Sequence, residues 1–313
     1  MAMQGILRPG LIQLRVTDLD KTLEHYVDHI GLNEVGRDGD RVFLKGWDEF
    51  DHHSVTLRKA DAAGLDFFSF KCDSEQTVAH YRQRIEAYGL AVEDIAAGEQ
   101  PGFGKRIRFE IASGHKIELY SEVELAEQHP ILENPDCIPV EKRGEMMLRG
   151  MKANRFDHGL LYGPNVMEVK KFFEQVLDFK TAEQVDHEDR SQQFAIWLTC
   201  STKAHDIAFV EHAEPGKFHH IAFQLGDWTD IGNAADIIAI QDISLDLGPT
   251  RHGITRGQTI YFFDPSGNRN EVFAGGYSYY PDNPTRKWTM DQVGKGIFYH
   301  DRKLNEAFLE VIT

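Results

Sequence analysis

The sequence predicts an α+β protein built from four similar modules, paired into two similar domains. Three observations lead there. Short strand-like runs alternate with amphipathic helices along the chain. The order of elements in the first half recurs in the second. Two matched pairs in different elements, Phe67 with Glu118 and His220 with Glu271, are equally spaced in the two halves.

In the first half "GLIQLRV" (10–16) reads as a strand. A helix follows over 17–32, because Leu19, Leu23, Tyr26, Val27 and Ile30 recur at helical spacing. Thr17 or Asp18 supplies its N-cap, and Gly31 ends it. A second strand covers 66–73, and Ser74 caps a helix over 74–90. Residues 105–122 read as a β-hairpin turning at Ser-Gly.

The second half repeats this order. A strand at 156–163 leads into a helix at 164–179 that begins with Pro164. Runs 193–201 and 205–212 form a strand pair. "KFHHIAFQL" (217–225) opens the last unit, with a helix at 228–240 and a hairpin at 258–276 turning on "DPSG". Laid on each other, the halves place Leu11, Phe67 and Glu118 opposite His158, His220 and Glu271. The expected domains are 1–145 and 152–313.

Composition narrows the function. The 313 residues carry a formal net charge of −16 and no Lys/Arg-rich block, which argues against nucleic acid or an anionic membrane as partner. Three widely spaced cysteines make neither a disulfide framework nor a thiolate metal cluster. The expectation is a cytoplasmic protein with no signal peptide and no membrane span.

Alternation separates the two adjacent histidines of "KFHHIAFQL". His219, Ile221, Phe223 and Leu225 fall on an apolar face expected to pack under a helix. His220, Ala222 and Gln224 fall on a small, polar face expected to look into a cavity. His158 shares a face with Leu160 and Tyr162, and Glu271 with Phe273. Two imidazoles and one carboxylate from three strands suit a mononuclear metal with three adjacent open positions. The plainer alternatives are a satisfied strand histidine at 220 and an edge-strand charge at 271 paired with Arg269. His52 and His53 lack partner ligands in the first half, and His115 reads as a hairpin-turn residue. Phe194, Trp197 and Phe209 read as core first and pocket lining second.

The segments "STKAHDIAFVEH", "KFHHIAFQL", "LGPTRHG", "TIYFFDPSGNRNEVFAGG" and "GKGIFYHDRKLNE" resemble those of the type I extradiol ring-cleaving dioxygenases, the catechol 2,3-dioxygenases among them. This family belongs to the vicinal oxygen chelate superfamily, and the resemblance runs end to end. It implies βαβββ modules, two per domain, with metal only in the C-terminal one. It implies Fe(II) held by His158, His220 and Glu271. It further implies acid/base work for His205, substrate hydrogen bonding for His252 and a phenol at the catecholate oxygen for Tyr261. None of these six positions departs from the family pattern.

The implied partners are a catecholic substrate and dioxygen, in a homotetramer. The implied reaction is extradiol cleavage to 2-hydroxymuconic semialdehyde or its substituted equivalent. The resemblance also makes the C-terminal segment a helical cover for the pocket. Two alternatives stand beside this reading: a glyoxalase-like isomerase or lyase using Zn or Ni, and a non-catalytic binding protein of the same fold.

Overall fold

A computed structural model describes residues 4–126, 149–189 and 192–313. The expected domain boundary between 145 and 152 lies largely outside the described residues. Four repeats of strand, helix and three strands follow one another. The first is β1 (Ile6–Val16), α1 (Leu19–Glu24), β2 (Asn33–Asp38), β3 (Arg41–Lys45) and β4 (Val55–Lys59). The second is β5 (Gly64–Cys72), α2 (Glu75–Tyr88), β6 (Glu93–Ile95), β7 (Arg106–Glu110) and β8 (Lys116–Tyr120). The third is β9 (Arg155–Gly163), α3 (Val166–Gln175), β10 (Lys180–Asp186), β11 (Gln193–Thr199) and β12 (Ile207–Glu211). The fourth is β13 (Lys217–Gln224), α4 (Trp228–Ile240), β14 (Leu245–Arg251), β15 (Gly257–Phe263) and β16 (Arg269–Gly275).

Two sheets result, ordered β2-β3-β4-β1-β5-β8-β7-β6 and β14-β15-β16-β13-β9-β12-β11-β10, the second extended by β17 (Arg286–Thr289). In every module the first and last strands pair in parallel, as β1 with β4, β5 with β8, β9 with β12 and β13 with β16. Two modules join back to back through an antiparallel pair, β1 with β5 and β9 with β13.

The register supports the half-to-half alignment. Ser69 pairs with Leu11 on one side and Glu118 on the other. Ala222 pairs with His158 on one side and Glu271 on the other. One face of both sheets feeds a continuous apolar core that includes Phe68, Phe70, Phe156, Phe173 and Phe223. The rings of Phe68 and Phe156, one from each half, stand 5.5 Å apart. Burial of these aromatics supplies much of the apolar area removed from water.

Local chemistry explains the helix ends. The Asp18 side chain accepts from Lys21 N, and Ser74 accepts from Thr77 N, so each caps an orphan donor. The first helix is α-helical only to Glu24 and continues as a π-helix from His25 to Ile30. The uniform helix expected over 17–32 is therefore corrected. The wider turn coincides with long-range contacts: His25 Nε2 bonds Asn270 Oδ1 at 2.8 Å, and Asn270 Nδ2 donates to Tyr26 OH at 2.8 Å. Gly31 ends the helix at a φ of 94°, a conformation that favours glycine.

The C-terminal segment, expected to be helical, is only partly so. It opens as β17, which adds to β10, and continues through a 3-10 turn to α5 (Val293–Ile297) and α6 (Glu306–Glu310). Among the described residues no helix is long and apolar enough to cross a membrane.

Candidate metal centre

Three adjacent strands, β9, β13 and β16, carry His158, His220 and Glu271 onto one face. Ala222 lies between the two flanking positions and pairs with both. Glu271 Oε2 is 3.1 Å from His158 Nε2 and 3.1 Å from His220 Nε2. All three residues are buried, and their donor atoms lie within 4.8 Å of one another.

This donor set fits a divalent metal. Bonds of about 2.1 Å at right angles place neighbouring donors about 3 Å apart, the spacing seen between Glu271 and each imidazole. Burial pushes the Glu271 carboxyl up. The surrounding His158, His220 and His252 imidazoles outweigh that and hold it well below the usual carboxylate range. It is an anion at neutral pH, and a buried anion calls for a cation.

Neighbouring groups aim both imidazoles. Asp157 Oδ2 sits 2.9 Å from His158 Nδ1, which leaves Nε2 facing the cluster. His220 is held by a longer relay. His219 Nε2 donates to the Phe308 carbonyl at 2.8 Å, so its Nδ1 is the unprotonated nitrogen. That Nδ1 lies 2.7 Å from His220 Nδ1, which must then carry the proton. The lone pair of His220 is left on Nε2, toward Glu271.

His219 therefore does not lie on the helix-packing face that alternation assigned to it. The pairing of β13 with β9 slips between Phe218 and His220, a β-bulge at His219. Phe218, Ile221 and Phe223 enter the core, while His219 turns to the cavity side. There it stacks on Tyr162 with ring centroids 4.8 Å apart.

The other sequence-predicted residues converge on the same cavity. His158, His205, His220, His252, Tyr261 and Glu271 all line it. His205, the first residue of the span expected as strand, lies in the loop two residues before β12, with its ring centroid 4.0 Å from that of His158. Burial, and then the neighbouring His158, lower its pKa well below the ordinary histidine value, so it is neutral at pH 7.

His252 Nδ1 contacts the Ile297 carbonyl, and its Nε2 is 2.9 Å from Tyr261 OH. With Nδ1 donating, Nε2 is an acceptor. Burial and then the Glu271 charge push the Tyr261 phenol well above its usual range, so it stays a donor. Apolar walls come from Leu160, Trp197, Ile254, Phe273, Ile297 and Phe308. Trp197 is thus cavity lining as well as packing, whereas Phe209 stays in the core.

Sequence reasoning missed several partners. Thr259 Oγ1 donates to Glu271 Oε1. It stands two residues before Tyr261, whose cross-strand partner is Glu271, so alternation from that pair would have found it. Asp157 and Phe308 had no such signal. The first reaches His158 from the neighbouring chain position, and the second arrives from the far end of the chain. His115 is more than a turn residue: its Nε2 contacts the Lys217 carbonyl at 2.8 Å and joins the two halves.

Known proteins resemble this chain. Residues 65–124 match the catechol 2,3-dioxygenase-like N-terminal domain, and residues 155–272 match the glyoxalase/bleomycin resistance protein/dioxygenase superfamily. The chain is 49% identical over 312 residues to metapyrocatechase of Pseudomonas sp. (strain CF600), covering 99% of both chains. It is 30% identical over 306 residues to the manganese-dependent 2,3-dihydroxybiphenyl 1,2-dioxygenase of Geobacillus genomosp. 3, covering 94% of both. The crystal structure of the 2,3-dioxygenase LapB from Pseudomonas sp. KL28 superposes with a TM-score of 0.89 at 46% identity, over 93% of this chain and 99% of that one. With two sheets of two modules each, a buried His-His-Glu cluster and this degree of identity, the chain belongs to the extradiol ring-cleaving dioxygenase family.

Proposed function

We propose that this catechol 2,3-dioxygenase works with Fe(II) held by His158, His220 and Glu271. Its substrates are dioxygen and catechol or an alkylcatechol, and its product is 2-hydroxymuconic semialdehyde or the substituted equivalent. The observation that carries this reading is the buried triad, with one carboxylate oxygen 3.1 Å from an imidazole nitrogen on either side. Bound there, Fe(II) supplies adjacent open positions for a diol and dioxygen together with redox activity, which Zn(II) lacks.

The chain's own residues bind the ring and handle its protons. His252 Nε2 accepts a hydrogen bond from a catechol hydroxyl, its acceptor state fixed by the Ile297 carbonyl behind it. Tyr261 donates its phenol proton to the ionised oxygen of the substrate. His205, neutral and set against His158, takes a catechol proton and returns it later in the reaction. Leu160, Trp197, Ile254 and Phe308 pack a flat ring and keep bulk water away.

Manganese is the competing metal, because one relative is named for it. Anaerobic loading with Fe(II) or Mn(II), followed by catechol in air, separates the two. A yellow ring-fission product from the iron form alone is expected. Equal or greater turnover with manganese would overturn the iron assignment, and a colourless ring-opened product would overturn the position of cleavage.

The same reading extends to a cytoplasmic homotetramer. Exposed Met167, Trp228, Ile240 and Leu245 offer apolar surface for neighbouring subunits. Light scattering of the purified protein tests the assembly, and a monomeric mass would refute it.

A further inference from the structure

The connection from β14 to β15 forms one wall of the metal cavity through His252, Ile254 and Thr255. Two consecutive residues in it, Thr255 and Arg256, have φ angles of 58° and 62°. Left-handed backbone is uncommon for residues with side chains and an outlier for a β-branched one, so the surroundings must hold it.

The restraint comes from a strand outside the ligand-bearing trio. Glu183 on β10 is 1% exposed, and its Oε1 accepts the Thr255 backbone N–H at 2.7 Å. Its Oε2 accepts the Trp288 indole N–H from β17 at 2.6 Å. Arg286 Nη1 stands 3.9 Å from Oε1 and balances the charge. Trp288 also backs Gly253, where an added Cβ would lie 3.3 Å from the indole. The backbone N–H groups of Gly253 and Ile254 both donate to the Gly296 carbonyl.

A carboxylate suits this place better than an amide. It offers an acceptor to both donors, whereas a glutamine would turn its NH₂ toward one of them. Glu183 belongs to neither the metal cluster nor the cavity lining.

We propose that Glu183 is a positioning residue for ring cleavage: its buried carboxylate holds the left-handed Thr255–Arg256 step and so keeps His252 aimed into the cavity. The inference rests on the substrate-binding role given to His252 above.

The test uses the full-length, Fe(II)-loaded enzyme. Glu183→Gln is expected to keep the iron content of the wild type, because it leaves the triad intact. KM for catechol is expected to rise roughly tenfold or more as the loop loses its aim. Trypsin cleavage after the exposed Arg256 is expected to quicken by a similar factor, read by mass spectrometry of the fragments. Adding Thr255→Gly removes the left-handed penalty and is expected to restore most of the lost affinity.

Wild-type KM and wild-type proteolysis in Glu183→Gln would overturn the proposal. So would a raised KM that Thr255→Gly does not rescue, which would mark a packing role, or a loss of iron. If Glu183→Gln alone fails to fold, the double variant decides, because strain relief requires that it fold and bind catechol. His252→Ala tests the underlying reading separately. If it leaves KM unchanged, the role of His252 fails, while proteolysis after Arg256 still judges the hold on the loop.

Discussion

Glu118 and Glu271 occupy corresponding places in the two sheets, and they are neutralised in different ways. Glu118 Oε2 accepts from Arg106 Nε at 2.9 Å and from Ser69 Oγ at 3.0 Å, while Oε1 accepts from Arg108 Nη2 at 2.6 Å. Arg108 pairs across the hairpin with Glu118 as Tyr261 pairs with Glu271. Arg106 pairs with Tyr120 as Thr259 pairs with Phe273. Two arginines thus stand where the C-terminal half has a threonine and a tyrosine. Where that half has His158 and His220, the N-terminal half has Leu11 and Phe67, which pack with Phe103 and Tyr120.

The fold therefore fixes where a buried carboxylate sits, and a few neighbours decide its counter-charge. Fixed guanidiniums saturate Glu118 and leave no room for a diffusible ion. Neutral partners leave Glu271 its charge, and two imidazoles complete a donor set for metal.

The largest contrast is metal binding. Glu271→Gln should lose both bound iron and ring cleavage, whereas Glu118→Gln should keep stoichiometric iron. Elemental analysis of both variants decides, and equal iron in the two would dissolve the distinction. Stability should show the converse dependence. Glu118→Gln leaves Arg106 and Arg108 without their shared carboxylate and should cost about 3–5 kcal/mol. An unchanged urea midpoint would show that Glu99, also paired to Arg106, is a sufficient counter-charge.

The seam between the halves adds a pH dependence. Burial lowers His25 and His115 to about 4 each, from 6.5. Their folded values are depressed, so this stability is fully present above pH 6.5 and is lost as pH falls toward 4. Each should contribute on the order of 3 kcal/mol over that window. Unfolding at pH 7 and pH 5 should differ, and His25→Gln with His115→Gln should reduce the difference, the rest coming from other buried histidines such as His53. A slope unchanged by both substitutions would assign it to other histidines.

A smaller effect tests the relay behind His220. His219→Phe keeps an aromatic ring against Tyr162 but removes the acceptor for His220 Nδ1. Metal affinity should weaken by roughly 10- to 100-fold, as for other partners of ligand histidines. Chelator competition measures it, and wild-type affinity would show that the relay does not orient His220. The smallest expected effect is none. Leu11→His with Phe67→His should bring no second metal into the N-terminal half, because Arg106 and Arg108 still occupy Glu118. A second metal per chain would show that imidazoles alone suffice.

Much of this comparison was legible beforehand. Equal spacing between Phe67 and Glu118 and between His220 and Glu271 placed the halves on each other, and the strand registers agree. Alternation put His220 on the cavity side because it lies two residues from Ala222 in unbroken strand. The same rule failed for His219, where one extra residue in the pairing reverses the face. The roles of His205, His252 and Tyr261 came through family resemblance, since a histidine in a turn looks alike whether it caps or binds.

The sequence by itself determined the order of modules, their duplication, the N-caps of the first two helices and the half that lacks imidazoles at the triad positions. These rest on spacings between near neighbours and on which side chains are present. Only the tertiary structure decided the bulge at His219, the arginine pair on Glu118, the Phe308 carbonyl behind the relay and the hold of Glu183 on Thr255. Each of these needs a partner from a distant part of the chain at hydrogen-bonding distance. Strand register and packing set that distance, and local periodicity carries no record of it.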